Sequence, residues 1–138
     1  FAAVADGLAR RGLQIVFVRD AAGAGVARRI AAGMVYPALL LPGRTDFFRL
    51  AWLLKHGRVL VSTDSGPVHL AAACGLPAVA LFGPTDPARH LPPGVQGLRA
   101  PVDCPPCYRK HCSHGACMQG LSVGFVLHAA LQAAGLPS

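Results

Sequence analysis

The sequence contains no glutamate. Its acid consists of six aspartates, set against 13 Lys and Arg, for a net charge of +7 over 138 residues. Eleven of those bases are arginine. Such an imbalance implies an electropositive face for anionic partners; arginine-rich codon usage is the plain alternative. Aromatics are scarce at 7%, and few exposed-looking ones sit among scattered bases, which argues against a nucleic-acid surface. No apolar run approaches the roughly 20 residues that cross a bilayer. No signal peptide is evident, because Phe1–Arg11 reads as an amphipathic helix rather than a charged start with an apolar centre. No internal repeat is visible. The length suits one domain, and a hydrophobic content of 53% allows a sizeable core and excludes compositional disorder. The first residue is not Met, and the chain starts inside an element, as a fragment would.

Taken in order, Ala2–Arg11 predicts a helix ended by Gly12, then a strand over Gln14–Val18 with a loop at Arg19 and Asp20. A second helix spans Gly25–Ala32 and a short strand Tyr36–Leu41. Thr45 is placed to cap a helix from Asp46 to His56. Arg58–Val61 and Ala78–Phe82 read as buried strands around a helix over Val68–Cys74. Gln96–Ala100 is a final short strand, 103–118 a Cys-rich loop, and Val123–Ala134 a last helix capped by Ser122. Strands alternating with helices of about ten residues predict an α/β fold: a Rossmann-like parallel sheet with helices on both faces.

The chemistry concentrates in Arg58–Asp86, RVLVSTDSGPVHLAAACGLPAVALFGPTD. A strand feeds a helix through the small-residue turn Ser62–Gly66, and Pro67 suits the first helical position, with Ser65 or Gly66 as N-cap. Free amides at that helix start, together with the positive end of the helix dipole, make an anion site. Asp64 lies at the strand's carboxyl end, where open α/β sheets place their ligands; its alternative is an Asx turn. His69, one turn into the helix, is either a further donor or a packed core histidine. Thr85 and Asp86 either close the site or cap the short Pro87–His90 segment.

This stretch resembles the C-terminal signature of the ADP-heptose:lipopolysaccharide heptosyltransferases, glycosyltransferase family 9. The form D-[ST]-G-x-x-H-x-A-A-A followed by F-G-P-T-D-P is carried by Asp64, Ser65, Gly66, His69, Ala71–Ala73 and Phe82–Pro87. The resemblance implies the C-terminal, donor-binding half of a GT-B glycosyltransferase, lacking its first strand and the N-terminal acceptor domain. It implies ADP-heptose as donor, a lipopolysaccharide core acceptor, and work at the inner face of the cytoplasmic membrane. Asp64 and His69 would then be the catalytic pair on this chain. Ser65 and Gly66 would offer amides to the diphosphate, with Gly66 permitting close approach. His69 would donate to a β-phosphate oxygen as ADP departs. Asp20, Arg44 and Thr45 would lie on the nucleoside side, Asp20 being shorter than the acid the family often carries there. The resemblance places the general base in the N-terminal domain, so neither Asp86 nor His90 would take that role, and it implies that no cofactor is required.

Four cysteines, Cys104, Cys107, Cys112 and Cys117, have compact metal-ligand spacing, with His111 and His114 between them. They leave open a structural zinc, an iron–sulfur cluster, disulfides, or a loop of free thiols. Cys74 reads as a small buried hydrophobe. Two further functions compete with the transferase: a non-catalytic nucleotide-sugar-binding domain, and a zinc-binding module in which the Cys loop is the working part.

Overall fold

A computed structural model describes residues 1–109 and 111–137; Lys110, within the expected Cys-rich loop, and Ser138 lie outside the described residues. The elements in chain order are α1 (Ala2–Ala9), β1 (Ile15–Phe17), α2 (Ala24–Ala32), β2 (Ala38–Leu40), α3 (Phe47–Lys55) and β3 (Leu60–Thr63). There follow α4 (Gly66–Ala73), β4 (Ala78–Phe82), α5 (Pro87–His90), β5 (Gln96–Arg99), α6 (Ala116–Gln119) and α7 (Val123–Ala133). Every predicted element is present, with ends moved by one or two residues. The Cys-rich loop additionally contains the short α6.

β4 divides the interior into two cores. All five of its residues are buried, as an apolar run flanked by parallel partners on both sides requires. Successive strand side chains point to opposite faces. Val79 and Leu81 therefore join Val4, Leu8, Val126 and Ala130 in a core under α1 and α7. Ala78, Ala80 and Phe82 join Leu54, Val68 and Ala71 under α3 and α4. Helices thus cover both faces of a parallel sheet, as the alternating pattern predicts.

The parallel sheet comes in two pieces, β1-β2 and β3-β4-β5. Between β1 and β3 lies an apolar gap of about 220 Å³, lined by Ile15, Val16, Leu60 and Val61 from the strands and by Leu8 and Leu54 from the helices. One further parallel strand there would join the five into a doubly wound sheet, ordered with its two halves on either side of a switch point.

Two local expectations differ from the structure. Asp46, not Thr45, caps α3: its Oδ1 accepts from the Arg49 amide at 2.8 Å. A carboxylate beside the first-turn amides is the stronger acceptor, and it also pairs with the Arg49 side chain at 3.5 Å. The second difference concerns aromatics among the bases. Phe47, Phe48 and Trp52 are all exposed on α3, next to Arg49 and Lys55. The inward stripe of that helix is filled by Leu50, Leu53 and Leu54, which leaves the aromatics outside.

Candidate functional site

The carboxyl end of β3 runs straight into the start of α4. The ladder with β4 extends one residue past the strand, because the Asp64 amide donates to the Leu81 carbonyl at 3.1 Å. This fixes the backbone of Asp64 and leaves its half-buried carboxylate without a hydrogen-bond partner among the described residues. Ser65 is the N-cap, yet its side chain does not cap the helix. Its hydroxyl donates back to the Thr63 carbonyl at 2.9 Å and lies 3.0 Å from the Ser62 hydroxyl. Pro67, in the first turn, has no amide to offer. The Val68 amide is used by the Ser65 carbonyl at 3.0 Å. The amides of Ser65 and Gly66, neither of which an N-cap hydroxyl would take, stand at the positive end of the helix without partners among the described residues.

Gly66 is exposed, and a Cβ built on it would meet nothing within 4 Å. Its bareness serves no packing contact of the chain itself, which is the condition for close approach by a ligand. His69 is exposed rather than packed, so the core-histidine alternative fails. One turn along α4, it stands on the solvent side of the same helix start. Asp86 takes the capping alternative: its Oδ1 accepts from the Ala88 amide at 3.0 Å at the start of α5.

The loops after β1 and β2 are tied together at the same carboxyl edge. The Leu41 amide donates to Phe17 at 2.9 Å, and the Gly43 amide to Arg19 at 2.7 Å. Gly43 has φ +68°, and a Cβ there would stand 3.1 Å from the Ala21 Cα, so only glycine fits this crossing. The structure thus brings Asp20 to one side of the crossing and Arg44 and Thr45 to the other. Asp20 is partly committed, since its Oδ1 accepts from the Gly23 amide at 2.8 Å ahead of α2. These three residues and the Asp64–His69 group share an edge of the sheet on opposite sides of the gap between β1 and β3. Among the described residues no hydrogen bond joins the two groups.

The Cys-rich segment docks on the end of β4. The amides of Cys107 and Tyr108 both donate to the Pro84 carbonyl at 3.0 Å. The Arg99 guanidinium donates to the Cys104 carbonyl, and the Tyr108 hydroxyl lies 3.3 Å from His90 Nε2. Cys104, Cys107, Cys112 and Cys117 border one cavity of about 440 Å³, with His114 and Met118 also on its wall. All four are free thiols. Among the described residues no three His, Cys or acidic side chains are grouped closely enough to hold an ion. Among the described residues the four thiols border a shared space and do not converge on one point. Cys112 is the exception electrostatically: amide hydrogen bonds from Gly115 and His114, with a smaller contribution from Arg109, hold its thiol below the ordinary value. Sequence reasoning missed the anchoring of this segment beside the Gly83–Asp86 turn; the F-G-P-T-D-P run was the available signal.

The geometry is that of an open helix start at a sheet's carboxyl edge. The model of glycosyltransferase family 9 (heptosyltransferase) matches residues 1–117. This chain belongs to glycosyltransferase family 9. The family 9 chain is 36% identical over 89 residues to lipopolysaccharide heptosyltransferase 3 of Escherichia coli, covering 62% of this chain and 26% of that protein. It is 37% identical over 90 residues to lipopolysaccharide heptosyltransferase 1 of Pseudomonas aeruginosa, covering 64% and 25%. It superposes on the ADP-heptose lipopolysaccharide heptosyltransferase II of E. coli with a TM-score of 0.81 at 24% identity, over 96% of this chain and 40% of that one. A family 9 glycosyltransferase from Veillonella parvula gives 0.83 at 23%, over 97% and 40%. The chain therefore spans about a quarter of the length of these curated relatives, which are 26% and 25% covered.

Proposed function

We propose that this family 9 chain is the donor-binding half of a glycosyltransferase that moves heptose from ADP-heptose to the inner core of lipopolysaccharide. The observation that carries the reading is the uncapped start of α4. The Ser65 and Gly66 amides are without partners among the described residues, Gly66 offers a bare approach, and His69 stands exposed one turn later. Helix starts of this kind accept phosphate groups, and the family resemblance makes the anion a diphosphate.

In the proposed reaction the acceptor hydroxyl attacks the anomeric carbon of heptose while the bond to the ADP β-phosphate oxygen breaks. Negative charge develops on the leaving diphosphate. The Ser65 and Gly66 amides and a His69 ring nitrogen, placed before the reaction begins, hold that charge without reorganisation. The Asp64 carboxylate, without a hydrogen-bond partner among the described residues, faces the sugar end, where it accepts hydroxyl hydrogen bonds. Asp20, Arg44 and Thr45 take the nucleoside. The acceptor and the base that removes its proton belong to a second domain, as the family resemblance implies. No cofactor takes part in this scheme. The relatives' role in lipopolysaccharide assembly supports a location at the inner face of the cytoplasmic membrane.

Calorimetric titration with ADP tests the site. His69→Ala should weaken binding by about 1–2 kcal/mol, the scale of a hydrogen bond to a charged group. Unchanged affinity would remove His69 from the diphosphate site.

A further inference from the structure

We propose that the outer face of α3 docks on a bilayer surface rich in anionic phospholipid. The helix buries Leu54 and half-buries Leu50 and Leu53, and this inward stripe completes its role in the core. On the opposite face Phe48 is 81% exposed and Trp52 62% exposed. They are one helical turn apart and so form a single ridge. Phe47, at the start of the helix, meets the Phe48 ring edge-on at 5.7 Å. Trp52 stacks on the His56 ring at 4.3 Å. Scattered exposed apolar residues need no explanation, but adjoining exposed aromatics on one short helix mark an interaction surface.

The charge pattern selects the partner. At 3.6 residues per turn, Lys55 falls on one flank of the Phe48–Trp52 ridge, and Arg49 and His56 on the other. The nearest acid, Asp46, is occupied by capping the helix and pairing with Arg49. A ridge of aromatics flanked by Lys55, which has no acid paired to it among the described residues, on a chain of net charge +7 without glutamate, complements headgroup phosphates and the acyl boundary beneath them. No described helix is long and apolar enough to cross a membrane, so α3 would lie in the surface plane. The inference rests on the proposed inner-membrane location only for which leaflet is met. Vesicle binding and ADP binding are separate assays, so either can fail alone.

Trp52 is the sole tryptophan of the 138-residue chain, and its emission reports the contact directly. The chain is mixed with vesicles of phosphatidylglycerol and phosphatidylethanolamine, or of phosphatidylcholine alone, and followed by fluorescence and flotation. The expected result is a blue shift and co-flotation with the anionic vesicles, lost at high salt. Phe48→Ser should weaken binding roughly tenfold or more, and Lys55→Ala roughly fivefold. The proposal is overturned if the chain fails to float with anionic vesicles, if Phe48→Ser binds as tightly as the parent chain, or if phosphatidylcholine binds equally well. A blue shift that follows protein concentration without vesicles would also overturn it, making the ridge a protein contact.

Discussion

Asp6 is the one charged side chain in the buried set among the described residues, and its replacement gives a quantitative test of how α1 holds the β1-β2 half of the fold. Its Oδ1 accepts from the Val35 and Tyr36 amides, both at 3.0 Å, and its Oδ2 lies 3.1 Å from the Val35 amide. Two backbone donors ahead of β2 thus depend on one carboxylate in the middle of α1. A hydrogen bond to a charged acceptor contributes about 1.5–3 kcal/mol, and an orphaned buried donor costs a similar amount. The Val35 residue is 86% exposed, so water can reach its amide and recover part of the loss. Alanine also gains about 0.5 kcal/mol of helix propensity over aspartate. The net expectation for Asp6→Ala is about 2–3 kcal/mol of destabilisation. Asp6→Asn keeps one acceptor oxygen and should lose about 1 kcal/mol. Urea unfolding followed by circular dichroism measures both, provided the slope is unchanged. A loss under about 0.5 kcal/mol for Asp6→Ala, the range of an ordinary surface change, would refute the reasoning and assign those amides to solvent.

Gly66→Ala separates binding from folding. Its Cβ meets nothing within 4 Å, so the melting temperature should hold, while ADP affinity should fall roughly tenfold as the methyl blocks the phosphate approach; an unaffected affinity would place the diphosphate elsewhere. Cys112 should be the fast-reacting thiol. Its lowered pKa keeps thiolate present at lower pH, so iodoacetamide should label it ahead of the others near neutrality and slow only as pH falls through that lowered value. Peptide mapping reads the order, and labelling led by Cys74 would contradict it.

Legibility in the sequence follows how local each cause is. β4 can be read residue for residue, because a five-residue apolar run between glycine and proline turns has one solution in a parallel sheet. The Ser122 cap of α7 is similarly local: its hydroxyl accepts from the Phe125 amide at 3.2 Å. The Thr45 cap failed because two adjacent residues were both competent, and the choice depended on where Asp46 could also meet Arg49. Asp6 was invisible for a different reason. An aspartate within a helix reads as solvent-facing until the partner amides, about 30 positions later in the chain, are folded against it.

The candidate site shows the same division. Asp64, Ser65, Gly66 and His69 are close in sequence, and strand-turn-helix geometry alone brings them to one edge. The direction of the Ser65 hydroxyl could not be read from residue types, since serine is a good N-cap by composition. It turns to the Thr63 carbonyl and the Ser62 hydroxyl. An N-cap side chain accepts from the second or third helical amide; here these belong to Pro67, which has none, and to Val68, which bonds to the Ser65 carbonyl. The Ser65 and Gly66 amides are therefore without partners among the described residues whichever way the hydroxyl turns. In the proposed reading the small residues of this turn permit a ligand's approach to them.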